Sequence, residues 1–243
     1  MRRFGNTSQF PTGPVNPALS ADEQSLIERV FITKVYGWMA LALAITGVVA
    51  VSTAANMEVL LPLLAGPGLI LVVLFQLGIV LALSFLVNKL SPGVATGLFL
   101  TYSALTGFTL STLFFVYTAD SLASTFFVTS GTFAAVSAYG YVTKTDLTKL
   151  GSLLIMALIG IVIASLVNLF LQSAALSWIV TYVGVIVFVG LIAYDTQRLK
   201  RMAVAVSYDG DTQRKASVLG ALALYLDFIN LFLKLTRILG NRR

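Results

Sequence analysis

Two carboxylates in this 243-residue chain stand where a carboxylate is costly. Asp227 interrupts the apolar run LYLDFINLFLKLTRILG at residues 224–240, and Asp195 lies in VGLIAYDTQRLK at residues 189–200. Asp227 falls about ten residues into its apolar segment, roughly 15 Å deep. An ionised side chain at the centre of a bilayer costs roughly 2.5–3.5 kcal/mol on insertion scales. It must face the protein interior, take a partner or hold a proton. Asn230, three residues on and on the same helical face, can donate a hydrogen bond. Two readings of Asp195 stay open. In one it is an interfacial residue paired with Arg198. In the other it meets Asp227, which requires its helix to run past residue 200 or the next helix to begin late. Adjoining carboxyls can share one proton across a hydrogen bond and titrate in two steps as a pair. Deprotonated, the same pair offers hard oxygens suited to Ca²⁺. Two carboxylates fall short of a full shell of about 6–8 oxygens, so transient passage fits better than tight binding.

Residue types exclude much other chemistry. The chain has no cysteine and no histidine, which removes disulfides, thiol catalysis, thiolate or histidine metal sites and Ser-His-Asp catalysis. Intramembrane aspartyl proteases also carry two aspartates on neighbouring helices, and Tyr194-Asp195 matches their Tyr-Asp pair. Asp227, however, follows LYL instead of Gly-x-Gly, and the Pro-Ala-Leu element, Pro17 to Leu19, lies in the N-terminal tail. A retinal protein fails as well: Lys234 is close to its helix end, and Asn230, not aspartate, stands four residues before it. No enzyme and no cofactor is expected.

The elements that must position the pair follow from composition. Charged residues make up 11% of the chain and hydrophobic residues 58%, whereas a soluble domain averages about 25% charged. Residues 1–19 read as a disordered cytoplasmic tail. Ser20 with Glu23 forms a capping box, which predicts an amphipathic interfacial helix over 20–34 with Leu26, Val30 and Phe31 on one face. A seven-helix transmembrane domain fills 35–243. Its apolar segments lie near 35–55, 69–88, 94–117, 121–142, 150–171, 177–197 and 217–238. No internal repeat supports an inverted-repeat transporter. The stretch 198–216 reads as a polar link. Lysine and arginine alternate between links and place the N-terminus in the cytoplasm. For segment 7, apolar length favours full crossing, with a periplasmic C-terminus, while its terminal charges argue for re-entry. Asp146 is placed to cap segment 5. Small residues in segment 4 (Ser130, Ala134 and Ala138; Gly131 and Ala135) predict close helix packing. Gln76, Tyr102, Thr106, Ser111 and Asn168 are expected to hydrogen-bond between helices. Lys89 at the end of segment 2 is a snorkelling anchor or a latch onto a carboxylate.

These segments resemble the Bax inhibitor-1 family of membrane proteins, in its bacterial inner-membrane form. LYLDFINLFLKLTRILG carries the resemblance. GVIVFVGLIAYDTQRLK at 184–200, YSALTGFTLS at 102–111 and ALIGIVIASLVNLFL at 157–171 support it. The resemblance implies a central seventh helix surrounded by six others. It also implies a pH-sensitive calcium leak, with an aspartate pair on the last two helices as sensor, here Asp195 and Asp227. A basic latch at the end of the second helix falls on Lys89, as a point charge in place of arginine's fork. A membrane-bound ATP-dependent protease is an implied partner, beside the lipid bilayer and calcium ions; no nucleic acid is expected.

Overall fold

Ser20 starts the first helix as its spacing predicts. Its hydroxyl accepts from the Glu23 amide, and the Glu23 carboxylate accepts from the Ser20 amide. The computed structural model describes residues 20–56, 58 and 67–242; the tail at 1–19 lies outside them. Seven long helices follow one another: α1 (Ala21–Ala55), α2 (Pro67–Leu86), α3 (Pro92–Leu110), α4 (Ala119–Val142), α5 (Thr148–Leu171), α6 (Ala174–Ala205) and α7 (Gly210–Leu239). A single turn, Leu113–Val116, continues α3 after a break. All seven are long and apolar enough to cross a membrane.

Three expectations change. The amphipathic stretch 20–34 is no separate helix but the opening of the 35-residue α1. On it Phe31 is fully buried, while Leu26 and Val30 are exposed. The supposed link 198–216 is mostly helix, with only 206–209 between α6 and α7. At 32 residues α6 spans roughly 48 Å, longer than a hydrocarbon core of about 30 Å. Its last turns are held by burial of Leu199, Ala203 and Val204. The small residues of α4 face outward. Its packed stripe is instead Thr125, Thr129, Phe133, Ser137 and Gly140. At Gly140 an added methyl would collide with the backbone of Ala193, so only glycine lets α4 and α6 approach this closely.

Burial singles out α7. Some 72% of its most apolar stretch is buried inside the protein, against 11–39% for the other six helices. It packs mainly on α1, α3, α4 and α6; α2 rests on α3, and α5 on α6. Phe228 of α7 meets Phe126 and Phe133 of α4 edge-on, each at 5.6 Å. Burying aromatic rings this way contributes area plus an orientational gain of about 0.5–1.5 kcal/mol per pair.

The two ends of the bundle are tied differently. At one end Gln197 clamps the α4–α5 loop, donating to the Thr145 carbonyl at 2.8 Å and accepting from the Leu147 amide at 2.9 Å. Arg201 pairs with Asp146, and Lys200 with Glu28. At the other end the chain after α7 pairs with the segment before α4. The Thr118 amide donates to the Asn241 carbonyl, and the Asn241 amide donates to the Ser121 hydroxyl. Segment 7 therefore runs the length of the bundle as one 30-residue helix without turning back.

Candidate functional site

Helices α6 and α7 run antiparallel across a four-residue turn, and close contacts set their register. A methyl at Gly220 would sit 2.5 Å from Leu199 Cδ2, and one at Gly184 would sit 2.9 Å from Lys234 Cε. In this register Asp195 and Asp227 fall level. Their carboxyl groups adjoin closely enough to interact with one another. Asp227 is 6% exposed, while Asp195 is half-buried. Among the described residues no amide or hydroxyl donor reaches Asp227 Oδ2. A hydrogen bond between two carboxyls exists only with a proton on it, so a direct bond within this pair needs one of them protonated.

Asp195 also lines a cavity of about 210 Å³ between α2, α6 and α7, with Ser84, Arg198 and Gly220 among its walls. This volume holds several waters. The pair thus has one dry member and one wet member. Arg198, on the exposed face of α6, acts electrostatically on Asp195. Asp195 adjoins Asp227, and among the described residues no ion pair joins it to Arg198.

The remaining candidates lie apart from the pair. Lys89 is exposed in the turn after α2 and is absent from the cavity wall. The two ion pairs among the described residues involve Lys200 and Arg201. Asn230 donates back to the Leu226 carbonyl at 2.8 Å instead of to Asp227. The ring of Tyr194 lies over the backbone of Gly151 in α5. Asn168 accepts from the Ser173 amide at the end of α5, a local cap. Ser111 likewise bonds within its own helix, to the Phe108 carbonyl. Gln76 does bridge helices, donating to Thr106 at 3.3 Å.

Sequence reasoning overlooked the polar knot beside the pair. Tyr225, fully buried two residues before Asp227, points to the other side of α7. Its hydroxyl lies 2.6 Å from Thr46 of α1 and within reach of Thr106 of α3. Thr46 in turn approaches the Ser103 carbonyl at 2.8 Å. Phe99 and Tyr102 pack edge-on against the Tyr225 ring at 5.7 and 6.0 Å. The signal was present: a tyrosine hydroxyl inside an apolar run must find a partner.

Asp146, outside the spans, is held at a pKa of about 2. The Thr148 hydroxyl and amide stabilise its ionised form first, and Arg201 adds to them. It stands one residue before the N-cap, Leu147, and accepts from the amide of Thr148, the first residue of α5, so it is not itself the N-cap.

Residues 28–243 match the family model described as "Inhibitor of apoptosis-promoting Bax1". The chain belongs to the Bax inhibitor-1 family. Among its relatives, inner membrane protein YbhL of Escherichia coli K12 is 56% identical over 218 residues, covering 88% of this chain and 93% of the relative. An uncharacterized protein of Borreliella burgdorferi is 46% identical over 222 residues, covering 91% and 96%. Uncharacterized protein RP147 of Rickettsia prowazekii is 47% identical over 216 residues, covering 88% and 91%. This Bax inhibitor-1 family member is thus a multi-pass integral membrane protein, with its carboxyl pair on the last two of seven helices.

Proposed function

We propose that this protein is a pH-sensitive calcium leak of the bacterial inner membrane, with Asp195 and Asp227 as sensor and gate. The observation that carries the reading is the meeting of the two carboxyls, one buried in the helix core and one on a cavity of about 210 Å³. Protonated once, the pair closes on itself through its hydrogen bond. Deprotonated, it becomes two repelling carboxylates and a hard oxygen site for Ca²⁺ in transit. Among the described residues no group of three or more acidic side chains gathers, which suits passage with waters. The lysine and arginine alternation supports a cytoplasmic N-terminus. The continuous α7 supports a periplasmic C-terminus. The inner-membrane assignment leans on the name of the E. coli relative. Arg198, which lines the cavity with Asp195, is the mouth cation in this reading, while Lys89 lies exposed in the turn after α2.

The test is Ca²⁺ flux into proteoliposomes at several pH values, for wild type, Asp195→Asn and Asp227→Asn. Loss of the pH dependence in both variants is expected. Flux that keeps its pH dependence in both variants contradicts the assignment.

A second reading has one observation in its favour. On either side of Asp227, Leu224, Phe228 and Leu231 of α7 are buried. A non-transporting modulator of membrane-protein quality control, acting with a membrane-bound ATP-dependent protease, needs no path there. Absence of flux at any pH, together with co-purification of such a protease, would favour it.

A further inference from the structure

Lys234 and Arg237 break the charge pattern of the chain. They lie one turn apart on α7, at the end away from the Asp146–Arg201 and Glu28–Lys200 pairs. Lys234 stands roughly 8 Å from the end of the helix and Arg237 roughly 3 Å, the depth of a lipid interface. The stem of Lys234 lies flat against Gly184 of α6, where the missing side chain makes room for it. The Arg237 guanidinium stands 5.5 Å from the centre of the Trp178 ring. Trp178 is stacked on Tyr182 at 5.6 Å, and both rings are partly exposed. Stacked, half-exposed aromatics near helix ends mark a membrane–water boundary.

Two like charges at i and i+3 repel. Among the described residues no carboxylate lies within 4 Å of either. Topology gives no reason to keep them, because basic residues favour the other side. Both stems are nonetheless fixed, one by a glycine notch and one by an aromatic face. At that depth the abundant anion is a phospholipid phosphate.

We propose that Lys234, Arg237 and Trp178 form a binding site for one anionic phospholipid. Arg237 takes the phosphate oxygens with its planar fork, and Lys234 supplies the second positive charge. Trp178 and Tyr182 seat the glycerol and upper acyl region. An anionic headgroup fits better than a zwitterionic one, because the latter brings its own ammonium to a site already carrying two cations.

The test uses the full chain, stripped of lipid in detergent and titrated with phosphatidylglycerol, phosphatidylethanolamine or inorganic phosphate. Native mass spectrometry counts retained lipid, and thermal unfolding reads the stabilisation. Wild type is expected to retain one more phosphatidylglycerol than phosphatidylethanolamine. The double variant Lys234→Gln/Arg237→Gln should lose that lipid and most of the thermal shift, while Arg214→Gln/Lys215→Gln at the other end keeps both. Should the double variant fail to fold, Arg237→Gln alone should retain the lipid at lower occupancy, and Arg237→Lys at intermediate occupancy. Equal retention of phosphatidylglycerol in wild type and variants overturns the site. An equal thermal shift from inorganic phosphate overturns the lipid assignment.

Discussion

A single aspartate at mid-helix is tolerable when its proton or its partner is supplied locally, and Asp227 has the means for both. Its neighbour Tyr225 shows the same economy on the opposite face of α7, where one hydroxyl joins helices α1 and α3. Ring packing should outweigh the hydroxyl there. Tyr225→Phe keeps the edge-on contacts with Phe99 and Tyr102 and is expected to cost about 0.5–1.5 kcal/mol. Tyr225→Ala empties the site and is expected to cost about 3–5 kcal/mol. Denaturant unfolding in detergent measures both; equal losses would mean that the hydrogen bonds, not the ring, hold this position. The aspartates were legible because charge is rare in apolar runs. The roles of Asn230 and Lys89 were not. Shared helical face and sequence position say nothing about a backbone carbonyl that competes for an amide, or about a turn that carries a lysine outward.

At the scale of elements, apolar length located all seven helices but not their polar ends. Residues 198–205 carry lysine and arginine and therefore read as a link, yet their leucine, alanine and valine face is buried. That extension lets α6 reach the α4–α5 loop, where Arg201 and Thr148 hold Asp146. The Asp146 pKa of about 2 lies below its ordinary 3.8. A group depressed in this way stabilises the fold above its unfolded pKa, and the contribution fades as pH falls from near 4 towards 2. Being fully exposed, it is worth little in salt. Asp146→Ala is therefore expected to lower the thermal midpoint at neutral pH and to converge on wild type as pH falls below about 2. A difference that persists undiminished in acid would assign the effect to something other than the ionised carboxylate. The outward turn of the small residues on α4 has a similar lesson: spacing of four identifies a stripe, and only the neighbours decide which stripe is packed.

In the whole molecule α7 is the most buried of the seven long helices and carries one member of the carboxyl pair near its middle. In the proposed function, the proton occupancy of this pair is what couples to passage. The helix α7 packs on α1, α3, α4 and α6; the resemblance implied six helices around it, whereas α2 packs mainly on α3 and α5 on α6. The central claim is that Asp195 and Asp227 hold one proton between them. Infrared difference spectroscopy of the reconstituted protein, titrated from about pH 5 to pH 9, observes that proton as a carboxylic C=O band. One such band that disappears as pH rises is expected, and Asp195→Asn and Asp227→Asn should each remove or shift it. A wild-type spectrum with no titrating carboxylic band, or a band that neither substitution alters, would contradict the claim.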